Sequence, residues 1–257
     1  MRGLFSIVSR WAIALSILSA SSPVLAADLV EIRQRGFLIV AVKDNVRPLG
    51  FRDSTGELAG MEIEIARRLA TELLGRSDAV VFQPVSNQER ISTLLADEAD
   101  LVIAQLSITE GRARLVDFSQ AYYLDRTAFV TRQPSLGQIS QVRRGRVAVL
   151  QNSSTVQLVR SRLPNARLVE VASYQQAKEV LDLGQADVFA ADSSVLTGWV
   201  QQFPTYRLLP ERWAGEPLAI AMPRGSQYRT LRQQVNAAID QWKQDGWLAE
   251  QIETWGL

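Results

Sequence analysis

The 257-residue chain contains no cysteine and no histidine. The first absence excludes disulfides and thiol chemistry, the second excludes Ser–His catalysis, and together they remove most zinc sites. Carboxylates, lysine and tyrosine are left for any catalysis, so an enzyme is not the first expectation, and neither a metal nor a cofactor is expected. An excess of charge is missing too, since 28 Lys and Arg face 27 Asp and Glu. Near neutrality argues against a nucleic-acid partner, which needs a basic face. Beyond the N-terminus no apolar run is long enough to span a membrane.

The N-terminus is different in kind. Arg2 and Arg10 precede an apolar stretch at 11–18, followed by small residues and Val24-Leu25-Ala26. This pattern predicts a secretory signal over 1–26, cut after Ala26, with an apolar core too short for a comfortable span. No cysteine stands at the cut, so a lipid anchor is not expected. The predicted destination is outside the cytoplasm, where the mature chain must be held together by its core alone.

The stretch 99–119, ADLVIAQLSITEGRARLVDFS, organises the remainder. Its apolar start at 101–104 reads as a buried strand of a parallel sheet. Gln105, Ser107 and Thr109 follow, then Glu110 and Arg112, so helix-capping hydroxyls and a guanidinium gather at a strand's carboxyl end. Ligands bind at that edge in open α/β sheets, and a planar guanidinium grips a carboxylate with two bonds.

Around it the pattern alternates. Helices are predicted at 28–35, 61–74 and 87–97, with strands at 37–42 and 79–85 between them. The loop 43–60 holds one hairpin-like excursion at Phe51, Asp53 and Gly56. The short helix after Thr109 is predicted to continue through 114–117, and a strand at 127–131 leaves this half. The pattern then restarts, with strands at 146–150, 168–171 and 186–191. Helices intervene up to Leu163, at 173–183 and at 194–202, and a strand at 218–222 and two helices close the chain. Strand–helix alternation implies parallel βαβ units, hence an α/β fold. The halves also match without gaps: ADLVIAQLS at 99–107 aligns with ADVFAADSS at 186–194, placing Gln105 opposite Asp192. Two such strand ends imply two facing ligand edges.

Five segments, in order and spacing, carry a family resemblance. They are LIVAVKDNVRPLGFRDSTGELAGMEIEIARRLA, DLVIAQLSITEGRARLVDFSQAYY, GRVAVLQNSST, GQADVFAADSSVL and VNAAIDQWKQDGWLAEQIETWG. Together they resemble the periplasmic solute-binding proteins that serve ABC importers of polar amino acids. The resemblance implies two lobes, each a mostly parallel sheet flanked by helices, joined by two crossing strands. One lobe would hold 28–123 with 219–257 and the other 124–218. It also implies a monomer that delivers its ligand to a membrane permease.

By the same resemblance, Arg112 binds the ligand α-carboxylate with help from Ser107, and Asp192 binds the α-ammonium. Gln105 stands where a small residue is usual. The turn Asn152-Ser153-Ser154 replaces a Gly-Thr-Thr type of turn, and Asn tolerates left-handed backbone. Phe51 keeps an aromatic position. Lys43 stands where many members place an Asp near the ligand side chain, which favours acidic or neutral amino acids over basic ones. Lys43 and the neighbouring Arg47 have a second reading as solvated loop charges, and Asp192 has one as a cap for the next helix. The resemblance extends to dehydratases of cyclohexadienyl acids, for which Glu62, Glu64 and Glu89 are the nearest acid/base candidates. It extends as well to ligand-sensing modules that feed a receptor.

Overall fold

The computed structural model describes residues 28–151 and 153–257. The predicted signal segment and Asn152 lie outside the described residues. The chain opens with α1 (Leu29–Arg35), whose first turn is capped by the Asp28 carboxylate accepting from the N–H groups of Val30 and Glu31. The apolar run after it forms β1 (Leu38–Val42), buried along its whole length. The predicted loop at 43–60 is more ordered than its glycines imply. It folds into β2 (Asn45–Val46), β3 (Gly50–Arg52) and β4 (Leu58–Ala59), an antiparallel sheet of its own.

Next come α2 (Met61–Leu74), β5 (Val80–Pro84), α3 (Glu89–Leu95), β6 (Leu101–Ile103) and α4 (Glu110–Ala113). The last of these stops at Ala113 and does not run on to residue 117, because Asp117 already opens β7 (Asp117–Thr131). Further on, β8 (Arg146–Leu150), α5 (Ser154–Arg162), β9 (Arg167–Val171), α6 (Tyr174–Asp182) and β10 (Val188–Asp192) repeat the alternation. The chain ends with α7 (Ser193–Gln202), β11 (Arg207–Leu208), β12 (Trp213–Met222), α8 (Arg229–Gln244) and α9 (Trp247–Thr254).

The main sheet has the order β5-β1-β6-β12-β7-β10-β8-β9, with β11 on β7. At one end β5, β1 and β6 are parallel, and at the other β10, β8 and β9 are parallel. Between them β12 and β7 run antiparallel, with register shifts at Leu218 to Ala221. Two parallel units joined by two long strands running out and back make a two-lobed α/β fold. The inner parallel strands β1 and β6 are apolar and buried throughout because both their faces are covered. The outer strands β5 and β9 carry Gln83, Arg167 and Glu170 and are only partly buried. Trp242 of α8 and Leu69 of α2 are fully buried in the core over β1 and β6, and Phe189 of β10 packs with Trp199 of α7 in the other lobe. The two segments that align internally thus hold equivalent places: β6 lies beside β12, and β10 beside β7.

Candidate ligand-binding site

Both β6 and β10 end at the seam between the lobes. Gln105, just past β6, has a φ of 49°, a left-handed conformation that costs a non-glycine residue about 1 kcal/mol. Its surroundings hold it there. Its N–H donates to Glu62 Oε1 at 2.7 Å, and Arg90 Nη1 donates to the carbonyls of Gln105 and Ala104 at 2.6 and 3.0 Å. From that fixed backbone Gln105 Nε2 reaches 3.4 Å from Asp192 Oδ2 across the seam. The residue pair aligned by the internal match is thus in contact.

Asp192 ends β10 at the N-cap position of α7, yet its side chain makes no capping bond. Asp125 on β7 does that instead: its Oδ1 accepts from Ser193 Oγ at 2.9 Å and from the Ser194 N–H at 3.1 Å, and its Oδ2 accepts from the Ser194 hydroxyl. The Asp192 carboxylate is therefore directed at the seam. Burial, with the neighbouring Asp125 and Glu216 charges, pushes its carboxyl up to about 7.

Arg112 is placed by α4, where Thr109 Oγ1 accepts from the Arg112 N–H at 3.3 Å. Its Nη1 donates to the Ser107 carbonyl at 2.9 Å, and it has no carboxylate partner among the described residues. Ser107 is itself bridged to Leu218 of β12, between the bonds from Ile108 N to Pro217 O and from Ala219 N to Leu106 O. Arg112 and Asp192 thus contact the two ends of one short segment, 105–107, which is pinned to a crossing strand.

A cavity of about 530 Å³ opens beside Gln105. One wall carries Lys43 and Arg47, and the other Tyr174 and Lys178 of α6 with Trp199 of α7. Lys43 is buried at 4% exposure, and its Nζ donates to the Val85 carbonyl at 2.7 Å. Burial, then the nearby Arg90 charge, holds its pKa below the usual lysine range. Arg47 does not extend into solvent either; its guanidinium lies 3.7 Å from the Phe51 ring centroid. Phe51 is buried beneath it, edge-on to Trp255.

Of the residues singled out in the sequence, Gln105 and Lys43 line the cavity, whereas Arg112, Ser107, Asp192, Phe51, Ser153 and Ser154 do not. Ser153 Oγ donates to Leu150 O at 2.7 Å, and Ser154 opens α5 in an exposed position. None of the carboxylates weighed for acid/base work lines it: Glu64 pairs with Arg67 at 2.9 Å, Glu89 accepts from Ser86 N at 2.7 Å, and Glu62 is fully buried. Sequence reasoning missed Arg90 and Asp125 as organising residues. Each is a charge whose partners are distant in the chain or are backbone carbonyls, so no local pattern marks it.

Glu62 yields a pH prediction. Its Oε1 accepts from Tyr122 Oη at 2.6 Å as well as from Gln105, while its buried Oε2 has no partner among the described residues. Burial raises its carboxyl to about 7 despite those bonds. The folded state therefore holds a proton that the unfolded state releases near pH 4.5, and this contribution to stability is lost as pH rises towards 7. The shift corresponds to about 3 kcal/mol, and Asp192 acts in the same direction. The ligand-free chain should melt lower at pH 8 than at pH 5.5, and Glu62→Gln should flatten the profile measured by calorimetry. An identical profile in the variant would remove Glu62 as its source.

Residues 38–257 match the model of the bacterial extracellular solute-binding proteins, family 3. The chain belongs to this family. Among its relatives is a glutamine-binding protein of an ABC transporter from Bacillus subtilis, 28% identical over 230 residues, covering 88% of this chain and 84% of the relative. A glutamine-binding protein from Geobacillus stearothermophilus is 32% identical over 195 residues, covering 75% and 74%. Among solved structures, an ancestral cationic amino acid solute-binding protein superposes with a TM-score of 0.75 at 27% identity, covering 88% of this chain and 98% of that one. Family membership accounts for the two-lobed architecture.

Proposed function

We propose that this family 3 solute-binding protein captures a polar amino acid between its lobes in the periplasm and hands it to the permease of an ABC importer, as a binder and not as an enzyme. The lobes would be 28–123 with 219–257, and 124–218, hinged on β7 and β12. Arg112 and Ser107 would take the α-carboxylate on the first lobe. Closure would then bring Asp192 to the α-ammonium, with the turn at Ser153 and Ser154 beside it. Removing water strengthens both charge pairs, and only a ligand that binds the closed form better shifts the balance towards it. Acidic or amide side chains are favoured over basic ones, because Lys43, Arg47 and Lys178 all stand on the adjoining cavity.

The observation that carries this reading is the Gln105–Asp192 contact. It puts a nitrogen donor from one lobe against an uncapped carboxylate of the other, the arrangement a ligand ammonium would reproduce. An ammonium there requires Asp192 to be ionised, and the carboxyl titrates at about 7 without it. Affinity should therefore rise with pH, by about 30-fold between pH 5.5 and pH 8. Titration calorimetry of the mature chain, after a thermal-shift screen of the common amino acids and small dicarboxylates, would measure it. Asp192→Asn should weaken binding and abolish the pH dependence, since the amide neither ionises nor pairs with an ammonium. A pH slope that persists in the variant would overturn the role of Asp192.

A further inference from the structure

We propose that Arg47 is the receptor for a second anionic group at the far end of the ligand, so that the preferred solute is an amino acid with an acidic side chain. The inference rests on the amino-acid reading of the seam and deepens it. Among the described residues lining the cavity, Lys43, Arg47 and Lys178 are cations and none is a carboxylate. Two of the three cations are already committed. Lys43 Nζ is turned onto the Val85 carbonyl at 2.7 Å, and Lys178 Nζ is held by Asp182 Oδ2 at 2.6 Å. Arg47 has no ion pair among the described residues.

The guanidinium of Arg47 is nevertheless in a defined place. It lies over Phe51 at 3.7 Å from the centroid, and Phe51 is fixed against Trp255 with ring centroids 5.9 Å apart. Stacking orders the guanidinium without neutralising it and leaves its in-plane N–H fork for a planar acceptor. It also covers that face of Phe51, so a cationic ligand side chain would meet a fixed positive charge instead of a bare ring. The Arg47 carbonyl faces Gly198 of α7 closely enough that a Cβ added there would lie 2.1 Å from it. The loop at Arg47 therefore meets α7 across the seam, and an anion bound to Arg47 would be enclosed there.

L-glutamate and L-glutamine test this, because they share a shape and differ in the distal charge. By titration calorimetry on the mature chain, glutamate should bind at least 10-fold tighter than glutamine. Arg47→Met, which keeps an unbranched apolar stem over Phe51, should reduce that ratio at least 10-fold. Arg47→Lys should retain part of the ratio, and circular dichroism melts of both variants would confirm folding. A wild-type chain that binds glutamine as tightly as glutamate, or a Met variant weakened equally for both, would overturn the role of Arg47 and leave the amino-acid reading intact. Binding of neither by the wild-type chain, with an amino acid that lacks an acidic side chain bound instead, would likewise overturn the acidic preference alone. Failure of every amino acid would overturn the amino-acid reading and this inference with it.

Discussion

Gly198→Ala should weaken ligand binding by on the order of 100-fold while leaving the ligand-free chain at least as stable as the wild type. Gly198 lies in the middle of α7, where glycine costs about 1 kcal/mol relative to alanine. For the helix alone the substitution is an improvement. The reason for glycine lies across the seam. A Cβ at 198 would stand 2.1 Å from the Arg47 carbonyl oxygen and 2.7 Å from its carbon. Both are backbone atoms, so no side-chain rotation relieves the overlap, and the lobes must separate or α7 must shift. Overpacking of this kind costs up to about 3 kcal/mol, which is about two decades in affinity if the penalty falls on the closed form alone. Titration calorimetry would give the affinity, and small-angle scattering with saturating ligand would show a radius of gyration that stays at the ligand-free value. Undiminished affinity with normal compaction would mean that α7 does not approach the loop at Arg47 when ligand is bound.

That contact was not legible in the chain. Residue 198 reads only as an ill-favoured position inside a helix, and its partner is a carbonyl some 150 positions earlier. The same distance hides Asp125. Its sequence surroundings, Leu124 and Arg126, show no strand pattern, so the prediction begins the strand only at Thr127, whereas β7 already starts at Asp117. The structure runs straight through because β7 needs no apolar face there: it crosses between lobes with Leu124 and Arg126 exposed and pairs with β12 from Asp117 to Thr127. β12 is likewise longer than its sequence implies, since Gly215 and Pro217 ordinarily mark the end of a strand. Pro217 is tolerated with its carbonyl occupied by Ile108 N.

What the chain did disclose are the parts governed by local periodicity. The predicted helix 61–74 coincides with α2, stopped by Gly75 in left-handed conformation. The buried parallel strands stand within a residue or two of their predicted bounds. The repeat of 99–107 in 186–194 went further, because strand ends equivalent within two lobes face each other when the lobes do. Its alignment of Gln105 with Asp192 anticipates a contact of 3.4 Å. The left-handed backbone at Gln105 left no trace, since a bulky polar residue gives no warning of positive φ. Only the Glu62 carboxylate and the Arg90 guanidinium, seen in place, account for it.

Arg112→Ala should weaken binding by about 30-fold or more, whichever α-amino acid proves to be the ligand. Arg112 is half-buried, its backbone is fixed by the Thr109 cap, and one Nη1 bond to the Ser107 carbonyl aims the side chain. With no carboxylate partner among the described residues, the guanidinium carries a charge that a ligand carboxylate can neutralise through two parallel bonds. Removing one partner of such an enclosed pair costs about 2–5 kcal/mol, because the other is left without compensation, and the lower end alone is about 30-fold. The loss should be equal for acidic and amide ligands, since both present the same α-carboxylate, which separates Arg112 from a residue that reads the side chain. Stability should change little, as Thr109 goes on capping α4 through a backbone N–H that alanine retains. A ligand affinity unchanged in Arg112→Ala, measured by titration calorimetry on a chain that melts normally, would move the α-carboxylate to another cation. Arg90, already committed to the carbonyls at 104 and 105, would then be the first to test.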